Sequence, residues 1–149
     1  MRKALILAAA LAVAFPVVAS DIGLIKVSSG DVQIQRGASR MPATVGAALQ
    51  TSDVIVTGAN GAAGITFSDN SLVSIGPNSV FAIEKYQFDS TTYAGEFEGN
   101  LKQGRLAAVS GKMVKQSPES MKIRTPSAVM GVRGTEFVVQ VDPPSTTRQ

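Results

Sequence analysis

Two acidic side chains, Glu96 and Glu98, are the first residues whose type and spacing suggest catalysis. Residues two apart on a β-strand point to the same side, with Cβ atoms about 7 Å apart. Retaining glycosidases cleave sugars with two carboxyl groups about 5–5.5 Å apart. Sugar-cleaving clefts also present aromatic platforms, whereas this chain has two Tyr, six Phe and no Trp. We therefore interpret Glu96 and Glu98 as solvated surface charges.

Histidine and cysteine are both absent from the 149 residues. Without histidine the chain has no Ser-His-Asp or Cys-His site and no imidazole general base. Without cysteine it has no thiolate nucleophile, disulfide framework, zinc finger or iron–sulfur cluster. The composition therefore predicts a protein that is not an enzyme and that carries no cofactor or metal.

Three aspartates, Asp53, Asp69 and Asp89, are the remaining candidates for a cation site. None of them lies in the Asp-x-Asp-x-Asp-Gly pattern of a calcium-binding loop. Each adjoins turn-forming residues, where an aspartate side chain accepts hydrogen bonds from nearby backbone N–H groups. We therefore predict that all three are turn residues.

Residues 102–124 form a locally basic segment in which Glu119 is the only acid. Such a segment on strands predicts a face for an anionic polymer, such as a cell-wall polyanion or lipopolysaccharide. The alternative is that these side chains protect exposed strand edges from aggregation. Nucleic acid is disfavoured because the aromatic interleaving of single-strand binders is missing. The candidate face comprises Lys102, Arg105, Lys112, Lys115, Lys122 and Arg124.

The first nineteen residues have the organisation of a secretory signal peptide. Arg2 and Lys3 precede an apolar run that ends at Phe15, and cleavage is expected after Ala19. A buried N-terminal helix and an uncleaved anchor are the alternatives. Cleavage lowers the net charge from +3 to +1, because two of the basic residues leave with the peptide. The sequence thus predicts a periplasmic or secreted protein that does not stay inserted in a membrane.

Short bursts of alternating apolar and polar residues, separated by turn residues, dominate the rest of the chain. This pattern predicts an all-β domain. Asn60-Gly61 is a strong hairpin signal, and residues 68–70 and 76–78 are further turns. Residues 42–50 and 88–100 are predicted surface loops, and a short ribbon around Phe97 is an alternative within the second. Residues 142–149 are predicted to be a disordered tail.

One internal echo bears on the architecture. Residues 70–75, Asn-Ser-Leu-Val-Ser-Ile, are matched eight residues later by residues 78–83, Asn-Ser-Val-Phe-Ala-Ile. A turn and strand repeated at a fixed step is typical of stacked coils, although ordinary meanders also produce it. A compact β-solenoid-like domain, a twisted β-sandwich of short strands and a small barrel therefore all stay open.

The order of several short motifs resembles that of a FecR domain. Gly-Asp-Val at 30–32 opens the match, Ser-Asp-Val-Ile-Val-Thr at 52–57 follows, and Val-Arg-Gly-Thr-Glu-Phe at 132–137 closes it. The resemblance extends over residues 23–141. The positions that match the family pattern are Gly30, Asp31, Asp53, Thr57, Gly104, Thr125, Pro126, Gly134, Thr135 and Phe137.

FecR proteins proper are membrane-spanning regulators with a cytoplasmic anti-sigma segment, one transmembrane helix and a periplasmic part that includes this domain. We expect a stand-alone exported version without the first two parts. The resemblance implies a non-enzymatic module that binds an envelope or secreted protein partner, by strand addition for example, in signalling or sensing. The alternative is an envelope polyanion- or carbohydrate-binding domain that uses the basic 102–124 face.

The pair Gly134-Thr135 is the one motif for which the resemblance implies a reaction. In some FecR-type regulators the chain cleaves itself at a Gly-Thr bond, where the threonine hydroxyl attacks the preceding carbonyl. The competing interpretation is a glycine at a bulge or tight bend, with Thr135 starting the last strand. We favour this structural interpretation over self-cleavage.

Overall fold

A computed structural model describes residues 13–16, 19–133 and 136–143. Within them the alternating segments form twelve strands and one short helix. The strands are β1 (Gly23–Ser29), β2 (Val32–Arg36), β3 (Ser39–Pro42), β4 (Ala48–Leu49), β5 (Val54–Thr57), β6 (Ala62–Phe67), β7 (Leu72–Ile75), β8 (Val80–Phe88), β9 (Gly95–Val109), β10 (Met121–Arg124), β11 (Val129–Gly131) and β12 (Glu136–Val141), and the helix is α1 (Lys112–Gln116). The predicted all-β class is confirmed.

One sheet, curled into an antiparallel half-barrel, contains all the strands. Its strand order is β3-β2-β5-β8-β9-β7-β6-β1-β4, with β10 and β12 also on β9 and β11 on β10. We call β1, β4, β6, β7 and β12 the front half-sheet, and β2, β3, β5, β8, β10 and β11 the back half-sheet. The pairing of β10 with β9 is parallel, and the other pairings are antiparallel.

The long strand β9 belongs to both half-sheets. Its residues 95–103 pair with β8 and those at 97–100 also with β10, whereas residues 104–109 pair with β12 and those at 106–109 also with β7. Gly104, at the change of partners, has a φ of +98°, which side chains with a Cβ rarely adopt. The glycine therefore lets one strand cross from the back half-sheet to the front.

The core lies between the two half-sheets. Phe67 of the front half-sheet packs against two rings of the back half-sheet, with centroid distances of 4.9 Å to Phe97 and 5.3 Å to Tyr86. The buried residues alternate along the strands, as in Ile65 and Phe67 of β6, so each strand turns one face inward. Burying such apolar side chains stabilises the fold by about 1.5–3 kcal/mol each.

The echo at residues 70–75 and 78–83 corresponds to β7 and β8, which do not pair with each other. Both pair with β9, on its two different parts. Asn60-Gly61 does not form the expected hairpin either, since β5 pairs with β2 and β8 while β6 pairs with β1 and β7. This turn instead carries the chain between the half-sheets. The turn at residues 68–70 does close a hairpin, between β6 and β7.

Residues 89–94 of the predicted loop at residues 88–100 do connect two strands, but β9 begins at Gly95, so the expected ribbon around Phe97 is part of a fifteen-residue strand. Its polar side chains alternate with Phe97 and Gly99, so they occupy the outward face of a strand. The five-residue helix α1 was not predicted. Residues 42–50 are largely a loop, interrupted by the two-residue strand β4.

Several predicted features fall outside the described residues. These are nearly all of the signal peptide, the Gly134-Thr135 pair and residues 144–149. Within residues 13–16, 19–133 and 136–143, no helix has the length and apolar character needed to cross a bilayer.

Candidate functional site

Four family-motif residues lie where the chain crosses between the half-sheets. Gly30 and Asp31 connect β1 to β2, Thr57 ends β5, and Gly104 is the crossing point within β9. Backbone hydrogen bonds link these places, since Gly58 donates to the Asp31 carbonyl at 2.9 Å. We call the set of residues 30–31, 57–61, 76–79 and 104 the crossover cluster.

Hydroxyl groups hold the centre of the crossover cluster. The Thr57 Oγ1 donates to the Gly76 carbonyl at 2.6 Å and accepts from the Ser79 N–H at 2.9 Å. The Ser79 Oγ in turn accepts from the Arg105 N–H at 3.0 Å, directly after Gly104. A Cβ at Gly104 would overlap the Ser79 side chain. These motif residues therefore position the strands that meet at the crossover cluster.

Asp53 is a buried carboxylate that anchors β2 against the start of β5. Its two oxygens accept from the Arg36 guanidinium at 2.8 and 2.7 Å, and Oδ2 also accepts from the Gln50 N–H at 2.9 Å. The hydrogen bond to Asp53 raises the pKa of Arg36. Because both oxygens of Asp53 already accept hydrogen bonds from protein groups, we interpret this carboxylate as a structural anchor rather than a calcium ligand.

Asp69 and Asp89 are also turn residues, as predicted. Asp69 Oδ1 accepts from the Ser71 N–H at 3.1 Å and from the Tyr86 hydroxyl at 3.2 Å. Asp89 Oδ1 accepts from the Thr91 N–H at 2.8 Å, and such backbone hydrogen bonds lower the pKa of Asp89. Within the described part of the chain, no three acidic side chains are grouped so that they could hold a metal ion.

The six basic residues of the candidate polyanion face occupy three places. Lys122 and Arg124 are both exposed on β10, as the alternation predicted. Lys112 and Lys115 lie on α1, where the Lys112 Nζ sits 5.1 Å from the centre of the Tyr93 ring. The remaining two, Lys102 and Arg105, are exposed on β9.

Carboxylates surround the β10 pair. Arg124 lies 3.8 Å from Glu84 and 3.9 Å from Glu98, and Lys122 is opposite Glu98 in the register of β10 and β9. The outward face of the back half-sheet thus carries three acids and three bases in close proximity. We call it the charged face; it consists of Glu84, Lys85, Glu96, Glu98, Lys122 and Arg124.

Glu96 and Glu98 both lie on the charged face, in agreement with their interpretation as surface charges. The Lys85 Nζ donates to Glu96 at 2.6 Å, and this hydrogen bond lowers the pKa of Glu96. A glycosidase acid needs the opposite shift, because it must hold a proton near neutral pH. Glu96 is therefore unsuited to the role of that acid.

The front half-sheet presents a different outward face. Because Leu72 of β7 lies opposite Val109 of β9, and Ala107 lies opposite Val138 of β12, apolar side chains form rows across the strands. The side chains at these positions are unusually exposed for their type, with Val138 51% accessible. We call this surface the apolar face; its exposed members are Leu24, Val27, Leu72, Val109 and Val138.

Strand β12 borders the apolar face. Among the strands that the structure describes, it pairs with β9 alone, so one of its edges is free. Free edges are usually blocked by lysine, proline, a bulge or a very short strand. At six residues, β12 is long for an edge, and its sequence Glu-Phe-Val-Val-Gln-Val contains neither lysine nor proline.

Other edge strands have such protection. Strand β3 carries Arg40 and ends at Pro42, which has no N–H to offer an incoming strand. The edges formed by β4 and β11 are only two and three residues long. Strand β12 is therefore the best template for strand addition among these edges.

The backbone hydrogen bonds of β9 establish which groups of β12 are free. Successive residues of a strand direct their N–H and C=O groups to opposite edges. The N–H of Gly76, just after β7, donates to the Arg105 carbonyl at 2.9 Å, so Arg105 faces the β7 side. Because the direction alternates from residue to residue, Leu106 and Ala108 direct their backbone groups to β12.

On β12, the residues opposite these two are Val139 and Phe137. Their backbone groups are used in pairing with β9, and their side chains pack partly buried against the core. By alternation, Glu136, Val138 and Gln140 direct their N–H and C=O groups to the free edge. Three residues of β12 thus present six backbone groups to an incoming strand.

A groove lies beside the end of β12. It has a volume of about 780 Å³ and is lined by β12, by the turn between β10 and β11, and by two residues of β9. The family-motif residue Thr125 shapes that turn, since its N–H donates to the Ala128 carbonyl at 2.8 Å and its Oγ1 accepts from the Ala128 N–H at 3.1 Å. Pro126 follows it in the lining of the groove.

Within the described residues, the fold thus defines a small all-β module with hydrogen-bonded crossovers, a charged face, an apolar face and one long edge, that of β12, without lysine or proline. A family model described as FecR protein matches residues 53–148, which is most of the chain. The chain therefore belongs to the FecR family. FecR proteins form a regulatory, non-enzymatic family associated with the cell envelope. No curated protein and no solved structure matches the chain.

The free edge of β12 was not predicted from the sequence. The alternation of Phe137, Val139 and Val141 was visible, and so was the lack of lysine and proline between them. Because every strand of the sheet shows similar alternation, this signal identified a strand without identifying its place in the sheet.

Proposed function

We propose that the chain is an exported, non-enzymatic FecR-family module that binds a protein partner at the cell envelope. The family supports the envelope setting and a role in signalling or sensing. The partner binds by adding one of its strands to the free edge of β12, a common mode of peptide recognition.

The free edge of β12 is the observation that carries this proposal. The backbone groups of Glu136, Val138 and Gln140 supply affinity to an extended chain of any sequence. Side-chain selectivity comes from the two sides of the new strand. Its inward residues continue the partly buried row of Phe137, Val139 and Val141, and its outward residues extend the apolar face.

Proline at position 138 tests the proposal. Proline lacks the N–H that Val138 directs to the free edge, but it leaves the N–H groups of Phe137 and Val139, which pair with β9, in place. We expect Val138→Pro to remain folded, with a nearly unchanged circular dichroism spectrum, and to lose capture of its envelope partner. Val138→Thr is the matched control, since it keeps the N–H and the branched shape.

Salt separates this mechanism from polyanion binding by residues 102–124. Strand addition survives moderate salt, whereas binding of a polyanion to exposed lysines weakens steeply. The proposal is supported if one envelope protein is retained in moderate salt, is also retained by Val138→Thr, and is no longer retained by Val138→Pro. Retention that vanishes in moderate salt and is unaffected by proline would contradict it and indicate the basic residues instead.

A further inference from the structure

The free edge of β12 is complementary to a second copy of itself. We propose that two copies of this chain associate by antiparallel pairing of their β12 strands across a two-fold axis, giving a homodimer with a continuous front sheet. This inference rests on the proposed function in one respect, that the same edge accepts strands. It names the second copy as an occupant of that edge.

The alternation of faces restricts the register. In antiparallel strands, directly opposite residues point to the same face of the sheet. A shift of one residue would place outward side chains opposite inward ones, so only registers in steps of two keep both faces intact. With Val138 on the two-fold axis, it lies opposite Val138 of the second copy, and Glu136 lies opposite Gln140.

Backbone groups match in this register. Glu136, Val138 and Gln140 are the residues that direct their N–H and C=O groups to the free edge. Each of them is opposite another member of the same set, so about six interstrand hydrogen bonds form. On the inward side, Phe137 lies opposite Val139 of the second copy, which continues the apolar row.

Charge favours this register over the one in which the two-fold axis lies at Val139. Moving the axis to Val139 would place Glu136 opposite Asp142 of the second copy, and like charges in directly opposite positions are destabilising. With the axis at Val138, Glu136 faces the neutral amide of Gln140. The outward Val138 pair also joins the apolar faces of the two copies.

An interface of one six-residue strand is small, so the dimer must be weak and dependent on concentration. We expect light scattering of the purified protein to show a monomer that converts to a dimer as concentration rises, and Val138→Pro to remain monomeric. Val138→Thr, which keeps the N–H, should dimerise as the parent does.

Cysteine crosslinking tests the register, and the absence of native cysteine makes the result clean. Hydrogen-bonded opposite residues have Cα atoms about 5.5 Å apart, within the range of a disulfide. Val138→Cys should therefore give a disulfide-linked dimer under mild oxidation. Glu136→Cys and Gln140→Cys should not do so alone, because identical positions are about 13 Å apart, but a mixture of these two variants should crosslink.

The inference fails if the protein stays monomeric at all concentrations, or if Val138→Cys crosslinks no faster than Glu136→Cys alone. It also fails if Val138→Pro still dimerises, because another surface would then be responsible. A monomeric protein that captures an envelope partner in a proline-sensitive manner would contradict the homodimer and leave the proposed function standing. A dimer that captures no envelope partner through this edge would support the homodimer and contradict the proposed function.

Discussion

The outward faces of the two half-sheets differ in chemistry: one carries paired charges, and the other exposes apolar side chains to water. On the charged face of the back half-sheet, each ion has a neighbour of opposite sign, as in the 2.6 Å contact between Lys85 and Glu96. On the apolar face of the front half-sheet, Leu72, Val109 and Val138 are exposed to solvent. Covering charged side chains costs desolvation, whereas covering apolar ones is favourable. A partner that covers the front half-sheet therefore gains more binding free energy than one that covers the back half-sheet.

The edges follow the same division. The back half-sheet ends at β3, which carries Arg40 and Pro42, and at the three-residue β11. The front half-sheet includes the free edge of β12. The back half-sheet thus has paired charges on its outward face and protected edges. The front half-sheet has both an exposed apolar face and the free edge of β12. Variants that change one half and spare the other show whether this division is real.

Replacing Gly104 with alanine should have the largest effect, because it attacks the joint on which both half-sheets depend. The residue has a φ of +98°, and a Cβ there overlaps the Ser79 side chain. We expect a loss of about 3–4 kcal/mol in the free energy of unfolding. Urea denaturation measures it. Gly37→Ala is the control, since its φ is +59° with no atom within 4 Å of the added Cβ, and it should cost only about 1 kcal/mol.

Asp53→Asn should be next, and its effect lies within the back half-sheet. The substitution removes the charge that Arg36 meets with two hydrogen bonds, at a position that is 1% exposed. We expect a loss of about 2–3 kcal/mol, because the charge-assisted hydrogen bonds from Arg36 are lost, although Arg36 itself is 33% exposed and stays partly hydrated. Glu119→Gln, which breaks a contact with Arg133 between two largely exposed side chains, should change stability by less than about 0.5 kcal/mol. Equal effects would contradict the assignment of Asp53 as an anchor.

Ionisation of Tyr86 should lower the stability of the fold moderately, and only in alkali, because this side chain lies in the core that joins the half-sheets. Burial, with the nearby Asp69, raises the pKa of Tyr86 above its ordinary value of 10.0. In alkali the unfolded chain loses this proton while the folded chain keeps it, so stability must fall as pH rises through 10. Tyrosinate absorbance of Tyr93→Phe, in which Tyr86 is the only tyrosine, should show no ionisation until the protein unfolds. Ionisation of the folded protein near pH 10 would refute the burial argument.

Glu96→Gln should have the smallest effect, because the charged face is solvated. Its contact with Lys85 lowers the pKa of Glu96. The resulting stabilisation is present above the ordinary pKa of a glutamate and is lost as pH falls through the lowered value. We expect Glu96→Gln to unfold at a slightly lower urea concentration than the parent at neutral pH, to match it in acid, and to keep partner capture. Loss of capture would show that the charged face, and not the apolar one, is the binding surface.

The fold was predictable where the evidence is local. The hairpin between β6 and β7 follows from the turn at residues 68–70, where Asn70 adopts a φ of +67°. Asn60-Gly61 has equally good turn chemistry, yet it leads out of one half-sheet and into the other. A turn sequence permits the chain to reverse, but it does not choose the strand that will be adjacent afterwards.

The candidate site divides in the same manner. The Asp89 turn and the shared face of Lys122 and Arg124 follow from spacing alone, and the structure agrees with both. The carboxylates beside Arg124 come from β8 and β9, about 25 to 40 residues earlier in the chain, so the charge balance of that face could not be anticipated.

The sequence alone determined that the protein is all-β, that it lacks histidine and cysteine chemistry, and that its motifs are those of the FecR family. Side-chain alternation indicates the all-β class, because it shows which residues of each strand are buried, whereas the other two conclusions come from composition and from the order of the motifs. Only the tertiary structure decided that β9 serves both half-sheets and that β12 keeps a free edge. Hydrogen bonds between strands join backbone groups common to every residue, so their partners depend on packing among distant segments rather than on local sequence.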